Sequence, residues 1–197
     1  MSFAAPRAVT ARWRPDEGDG LEHLTLSPEG DEIVARGVVV GERDGHAYGV
    51  DYTIVCDRGF AVRELHLGTS AGMALSLASD GAGHWTNHDG RALPEFDGCM
   101  DVDLAGSPFT NTLPIRRIDW ARSGGRSLAL DMLYVPFDSF VPVRDAQIYT
   151  CLSAPSEAAR RFRFEAADGS FTADLTVDED GLVGDYPGLF ARMPLPR

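Results

Sequence analysis

The sequence predicts an all-β domain, a sandwich or barrel of many short antiparallel strands with one short helix. Three observations carry this. Apolar residues recur with a period of two, as in Tyr48, Val50, Tyr52 and Ile54. Glycine-containing turn signals, Asp44-Gly45, Arg58-Gly59, Asp168-Gly169 and Asp180-Gly181, separate those stretches. The 197 residues, 44% of them hydrophobic, suit one domain spanning residues 1–197 with a real core.

The stretch up to Gly20 is rich in proline and acids, and residues 1–12 are expected to be loose. "EIVARGVVVGERDGHAYGVDYTIVCDRGFAVRELHL" then reads as three strands joined by tight turns. "MALSLASDGAGHWTNHDGRALPEFDG" reads as a strand, an Asp-Gly turn, a short strand carrying Trp85 and a second Asp-Gly turn. "GCMDVDLAGSPFTNTLPIRR" reads as a strand, a proline-locked corner and a second strand, with Thr110 and Thr112 favouring strand. "RSLALDMLYV" and "AQIYTCLS" add two strands. Between them, "FDSFV" is bracketed by Pro136 and Pro142 and reads as an edge or loop. "SAPSEAARRF" is the helix candidate, with Ser153 or Ser156 as N-cap. Phe162, Phe164, Phe171, Ala173, Leu175 and Val177 then mark two further strands, and Tyr186-Pro187-Gly188 suits a type II turn. The segments "DYTIVCDRGF" and "DLTVDEDGL" form a faint repeat, each an alternating strand followed by an acidic turn.

Charge excludes several functions. The formal net charge is −12, a surface that repels nucleic acid and anionic bilayers. All basic residues are arginine, as in proteins of high-GC bacterial genomes. The N-terminus lacks an apolar signal region and no apolar run spans a bilayer, so a soluble cytoplasmic protein is expected. Cys56, Cys99 and Cys151 are widely spaced, without the pairing of a zinc or redox motif, and read as reduced thiols.

Candidate chemistry is sparse. Asp101 and Asp103 share one face of a strand, where they form an acid/base pair, a cation site, or partners for Arg116 and Arg117. His84 and His88 are four apart, but the flanking turns spoil the helical geometry that a metal pair needs. There is no phosphate-binding loop and no nucleophile elbow, so neither a cofactor nor a metal is expected. Arg116 and Arg117 beside acids suit either a head-group site in a barrel mouth or a locked structural corner.

Four blocks, "GCMDVDL", "SPFTNTLPIRR", "QIYT" and "GLVGDYPGLFAR", resemble the "Putative glycolipid-binding" family, a bacterial domain family of formerly unknown function. The resemblance runs over residues 13–192. It implies a partly open, spilled antiparallel β-barrel, similar in fold to bacterial lipoprotein carriers. By motif match it singles out Asp101, Asp103, Thr110, Asn111, Arg116, Arg117, Gln147, Tyr149, Asp185 and Tyr186. The chain departs from the family in carrying Phe60 where similar proteins have tryptophan, and from the carriers in showing no export signal.

The resulting expectation is a non-enzymatic binder of an amphipathic ligand, a glycolipid or other lipid. In it the curved sheet and its aromatic residues hold an acyl chain, and Arg116, Arg117 and the acids orient the head group. The alternatives are a filled structural barrel and a hydrolase or isomerase using Asp101 or Asp103.

Overall fold

The computed structural model describes residues 3–43, 45–153 and 160–195. It is all-β, built from two sheets, one of them curled into an open half-barrel. The larger sheet begins with β1 (Val9–Pro15), β2 (Leu21–Glu29), β3 (Glu32–Arg43) and β4 (His46–Asp57). It continues through β5 (Val62–Thr69), β6 (Ala74–Ser79) and β7 (Trp85–Asn87) as an antiparallel meander. The smaller sheet holds β8 (Asp101–Leu104), β9 (Leu128–Val135), β10 (Val143–Cys151), β11 (Arg160–Ala166) and β12 (Thr172–Val177). The last strand, β13 (Phe190–Arg192), crosses back and pairs with β1. Each sheet therefore owns part of the C-terminal segment. The Trp13 indole N–H reinforces this by donating to the Val183 carbonyl at 2.9 Å.

Period-two patterning sets the faces. On β3, Ile33, Ala35 and Val39 are buried while Val38 and Val40 are exposed. Gly37 shares the buried face and stands opposite Tyr52 of β4. A Cβ at Gly37 would lie 2.2 Å from the Tyr52 ring, so the absent side chain is the space that the ring occupies. Gly41 stands opposite Tyr48 in the same relation, where a Cβ would meet the phenol oxygen at 2.8 Å.

The faint repeat of the sequence is a shared turn. Asp57 Oδ1 accepts from the N–H groups of Gly59 and Ala61. Asp178 Oδ1 accepts from those of Asp180 and Leu182. The fourth position of each turn is left-handed, filled by Gly181 at φ 79° and by Phe60 at φ 66°. A phenylalanine there is strained. Its ring is 2% exposed in the core and lies beneath the Arg116 guanidinium, which gives the conformation a compensating contact.

Four expectations need correction. Residues 9–12, expected to be loose, belong to β1 (Val9–Pro15) inside the sheet, where Ala11 and Trp13 are fully buried. The corner and second strand expected after Leu104 are instead a 3-10 turn (Pro108–Asn111) and two short helices, α1 (Thr112–Arg117) and α2 (Trp120–Ser123). Pro108 opens the 3-10 turn and Pro114 sits in the first turn of α1, where the missing N–H costs nothing. Among the described residues the α-helical turns lie here. The helix expected at 153–162 falls largely on residues 154–159, outside the described residues, and Arg160–Ala166 is strand. Finally, β8 pairs parallel to β9, so the sheets are not wholly antiparallel.

His84 is bonded to Asp80 and His88 lies beside Asp89, both pairs exposed in turns. Among the described residues no helix is long and apolar enough to cross a membrane.

Because the Tyr52 ring fills the Cβ position of Gly37, Gly37→Ala is expected to destabilise the fold by about 2–3 kcal/mol in urea denaturation. Gly30→Ala, at a turn with open space around it, should cost only the smaller penalty of its left-handed backbone.

Candidate functional site

The two sheets part around a cleft of about 940 Å³. The larger sheet supplies Leu21, Glu22, Val39 and Tyr48 to its wall, and the smaller one Asp103, Tyr134, Asp145, Gln147 and Phe164. Ser107, Asn111, Phe171, Tyr186 and Phe190 complete it. A smaller hollow of about 460 Å³, bordered by Met73 and Phe137, shares Tyr48 and Ala105 with the cleft.

Glu22 is the residue that sequence reasoning missed. It lies on β2 in phase with buried Leu24 and Leu26, and is itself 2% exposed. An acid in register with the apolar face of a strand is the signal that could have found it. The Tyr52 hydroxyl donates to Glu22 Oε1 at 2.6 Å, and Ser107 Oγ donates to the same oxygen. Oε2 is buried with no hydrogen-bond partner. Burial pushes the Glu22 carboxyl up to about 7, against the opposing pull of those donors.

Asp103 is the second polar anchor. Its Oδ1 accepts from Thr110 Oγ1 at 2.8 Å and its Oδ2 from Gln147 Nε2 at 2.7 Å. Gln147 Nε2 also donates to Asp145 at 2.9 Å. The Tyr149 hydroxyl donates to Asn111 Oδ1 at 2.8 Å. Burial raises the Asp103 carboxyl to about 6. Asp103, Thr110, Asn111, Gln147 and Tyr149 therefore form one polar cluster drawn from β8, the 3-10 turn and β10. Of these, Asp103, Asn111 and Gln147 reach the cleft, while Thr110 and Tyr149 brace them from behind.

Tyr186 also lines the cleft, in an aromatic wall with Phe164, Phe171 and Phe190. The Pro187-Gly188 turn positions it: the Leu189 N–H donates to the Tyr186 carbonyl and Gly188 sits at φ 84°. Asp185 lies outside this wall and accepts from the Arg192 N–H.

Asp101, Arg116 and Arg117 are not among the residues lining the cleft. Asp101, 1% exposed, is clamped by Arg117 through Nε at 3.0 Å and through Nη2. Burial holds the Asp101 carboxyl above its ordinary range even though Arg117 pulls it down. Arg116 donates to the carbonyls of Asp180 at 2.8 Å and Ala4 at 3.0 Å, joining α1 to the two chain ends. In this structure both arginines make structural contacts.

Among the described residues, the charged side chains lining the cleft are all acidic. Glu22, Asp103 and Asp145 lie toward the floor, and Glu17, Asp19, Glu42 and Asp168 lie around the mouth.

A family model described as "Putative glycolipid-binding" matches residues 10–192. A solved structure, that of a DUF1089 family protein from Pseudomonas aeruginosa, is 39% identical, with a TM-score of 0.72. The match covers 92% of this chain and 95% of that one. No curated protein matches the sequence.

Two expectations follow from the buried carboxyls. Folded Glu22 keeps its proton to about 7, well above the usual carboxyl range, so its contribution to stability is present at low pH and lost as the pH rises through that value. Between mildly acidic and mildly alkaline buffer, the wild type should therefore lose about 2 kcal/mol more unfolding free energy than Glu22→Gln. Parallel slopes in urea titrations would contradict this. Arg117→Ala, which leaves Asp101 buried without its cation, should cost about 3 kcal/mol in the same assay.

Proposed function

The chain belongs to the "Putative glycolipid-binding" family, and on that premise we propose that its cleft binds an amphipathic molecule with a hydroxyl-rich head group, of the glycolipid class. The observation that carries this reading is the cleft itself: about 940 Å³, with a floor of buried polar groups and one wall of aromatic rings. Small-ligand sites have this size and this division between apolar walls and a few placed polar groups. A barrel packed full of its own side chains fits such a volume poorly.

The binding role divides by chemistry. Glu22, Asp103, Asn111 and Gln147 meet the polar head through hydrogen bonds. Phe164, Phe171, Tyr186 and Phe190 cover rings and alkyl carbons, with Leu21 and Leu189 extending the apolar surface outward. Each buried methylene contributes about 0.8 kcal/mol, so a chain of about eight carbons offers on the order of 6 kcal/mol before the cost of association. Such an affinity is modest and reversible, as suits a carrier or sensor more than a permanent store.

The test is purification without detergent, followed by native mass spectrometry and solvent extraction, then titration with octyl β-D-glucoside. The wild type is expected to carry a lipid-like adduct or to take up the glycoside. Ala166, directly opposite Gln147 on the neighbouring strand, lines the cleft, and Ala166→Trp should obstruct it and weaken uptake at least about tenfold. No adduct and no uptake, or equal uptake by a folded Ala166→Trp variant, would overturn the reading.

A further inference from the structure

We propose that the head group is a sugar bearing a protonated amine, received by Glu22; the inference rests on the cleft being the ligand site. Three observations support it. First, among the described residues the cleft is lined by seven carboxyl side chains and by no arginine or histidine. An anionic head group would have to be desolvated against like charge, whereas a cation is attracted before contact, by a chain whose formal net charge is −12.

Second, among the described residues, Arg116, Arg117 and Arg192 are committed elsewhere. Arg117 is clamped on Asp101 and Arg116 on two backbone carbonyls. Arg192 donates to the Val183 carbonyl, pairs with Asp178 and lies over the Trp13 ring. Arg192, which is not among the residues lining the cleft, pulls the Glu22 carboxyl down by its charge.

Third, Glu22 alone among the cleft acids has a buried oxygen without a partner. Asp103 has a donor on each oxygen, Asp145 receives the Gln147 amide, and Asp168 caps the Ser170 N–H. Glu22 Oε1 accepts from Tyr52 and Ser107, and the Phe109 backbone N–H also favours the charged carboxyl. Oε2 is buried without a hydrogen-bond partner, in a residue that lines the cleft. An ammonium group that reaches the Glu22 carboxyl forms a charge-assisted hydrogen bond. The rings of Tyr48, Tyr134 and Tyr186 around the cleft add faces that attract cations.

The experiment uses three octyl glycosides that differ chiefly in charge: octyl β-D-glucosaminide, octyl β-D-glucoside and octyl β-D-glucuronide. Each is titrated calorimetrically into the full chain near neutral pH. The glucosaminide is expected to bind about tenfold more tightly than the glucoside, with the glucuronide weakest. The preference should shrink on adding salt and collapse in Glu22→Gln. If the buried substitution prevents folding, the exposed pair Glu42→Gln with Asp168→Asn tests the charge without touching the core, and the preference should fall there too. Equal affinity for glucosaminide and glucoside, or a glucuronide bound as well as either, overturns the charge assignment and leaves the cleft as a glycolipid site. A preference unchanged in every folded variant overturns the assignment to these acids. Failure of all three glycosides to bind overturns the cleft reading, and this inference with it.

Discussion

The carboxyl group of Glu22 is buried and has to be given partners, and much of the architecture around the cleft answers that requirement. Tyr52 supplies one hydroxyl across two strands, and Ser107 supplies another from the segment leading into the helices. Gly37 leaves the space in which the Tyr52 ring lies. One group therefore ties β2, β4 and the β8-to-helix connection to a common point, and that point is part of the cleft floor. An unmet carboxyl oxygen at such depth costs free energy that an apolar residue would not.

The charged residues separate into two populations with different work. Arg116 and Arg117 have opposite neighbours in the sequence's terms, beside the acids of the same block, but in space they hold the helical segment to Asp101 and to the chain ends. Among the described residues, no arginine lines the cleft beside the acids that remain there. Aromatic rings line the same space, held against one another by edge contacts such as Tyr149 on Phe164 and Phe164 on Tyr186. The wall is thus fixed by packing of the smaller sheet's aromatic residues against Tyr186, which in turn meets Phe190 of β13 in the larger sheet.

How far this could be read from the sequence differs by region. The strands from Glu32 to Thr69 were legible because alternation is uninterrupted and the turns carry their own chemistry. The shared acidic turn was visible as a repeat, and its geometry recurs down to the left-handed fourth position. β1 was obscured by Pro15 and the acids after it, although Ala11 and Trp13 already alternate. The 108–117 segment was misread because its threonines favour strand, while its prolines are equally at home in the first turn of a helix. Asp103, Thr110, Asn111, Gln147 and Tyr149 come together in space from separate motifs of the sequence, and Tyr186 joins the cleft wall. Glu22 was missed because an acid in an apolar register breaks the pattern that identifies a strand. Pairings such as Gly37 with Tyr52 depend on register, which the sequence does not state.

The central claim is that the space between the two sheets is where this protein meets its ligand. Its most direct test is an NMR titration with octyl β-D-glucoside, following backbone amides together with the Glu22 carboxyl carbon. The account predicts saturable shifts at Gly106, Asn111, Gln147 and Tyr186 and at the Glu22 carboxyl. Shifts confined to Gly49, Ala71 and Met73 around the smaller hollow, or a spectrum that does not change, would contradict it.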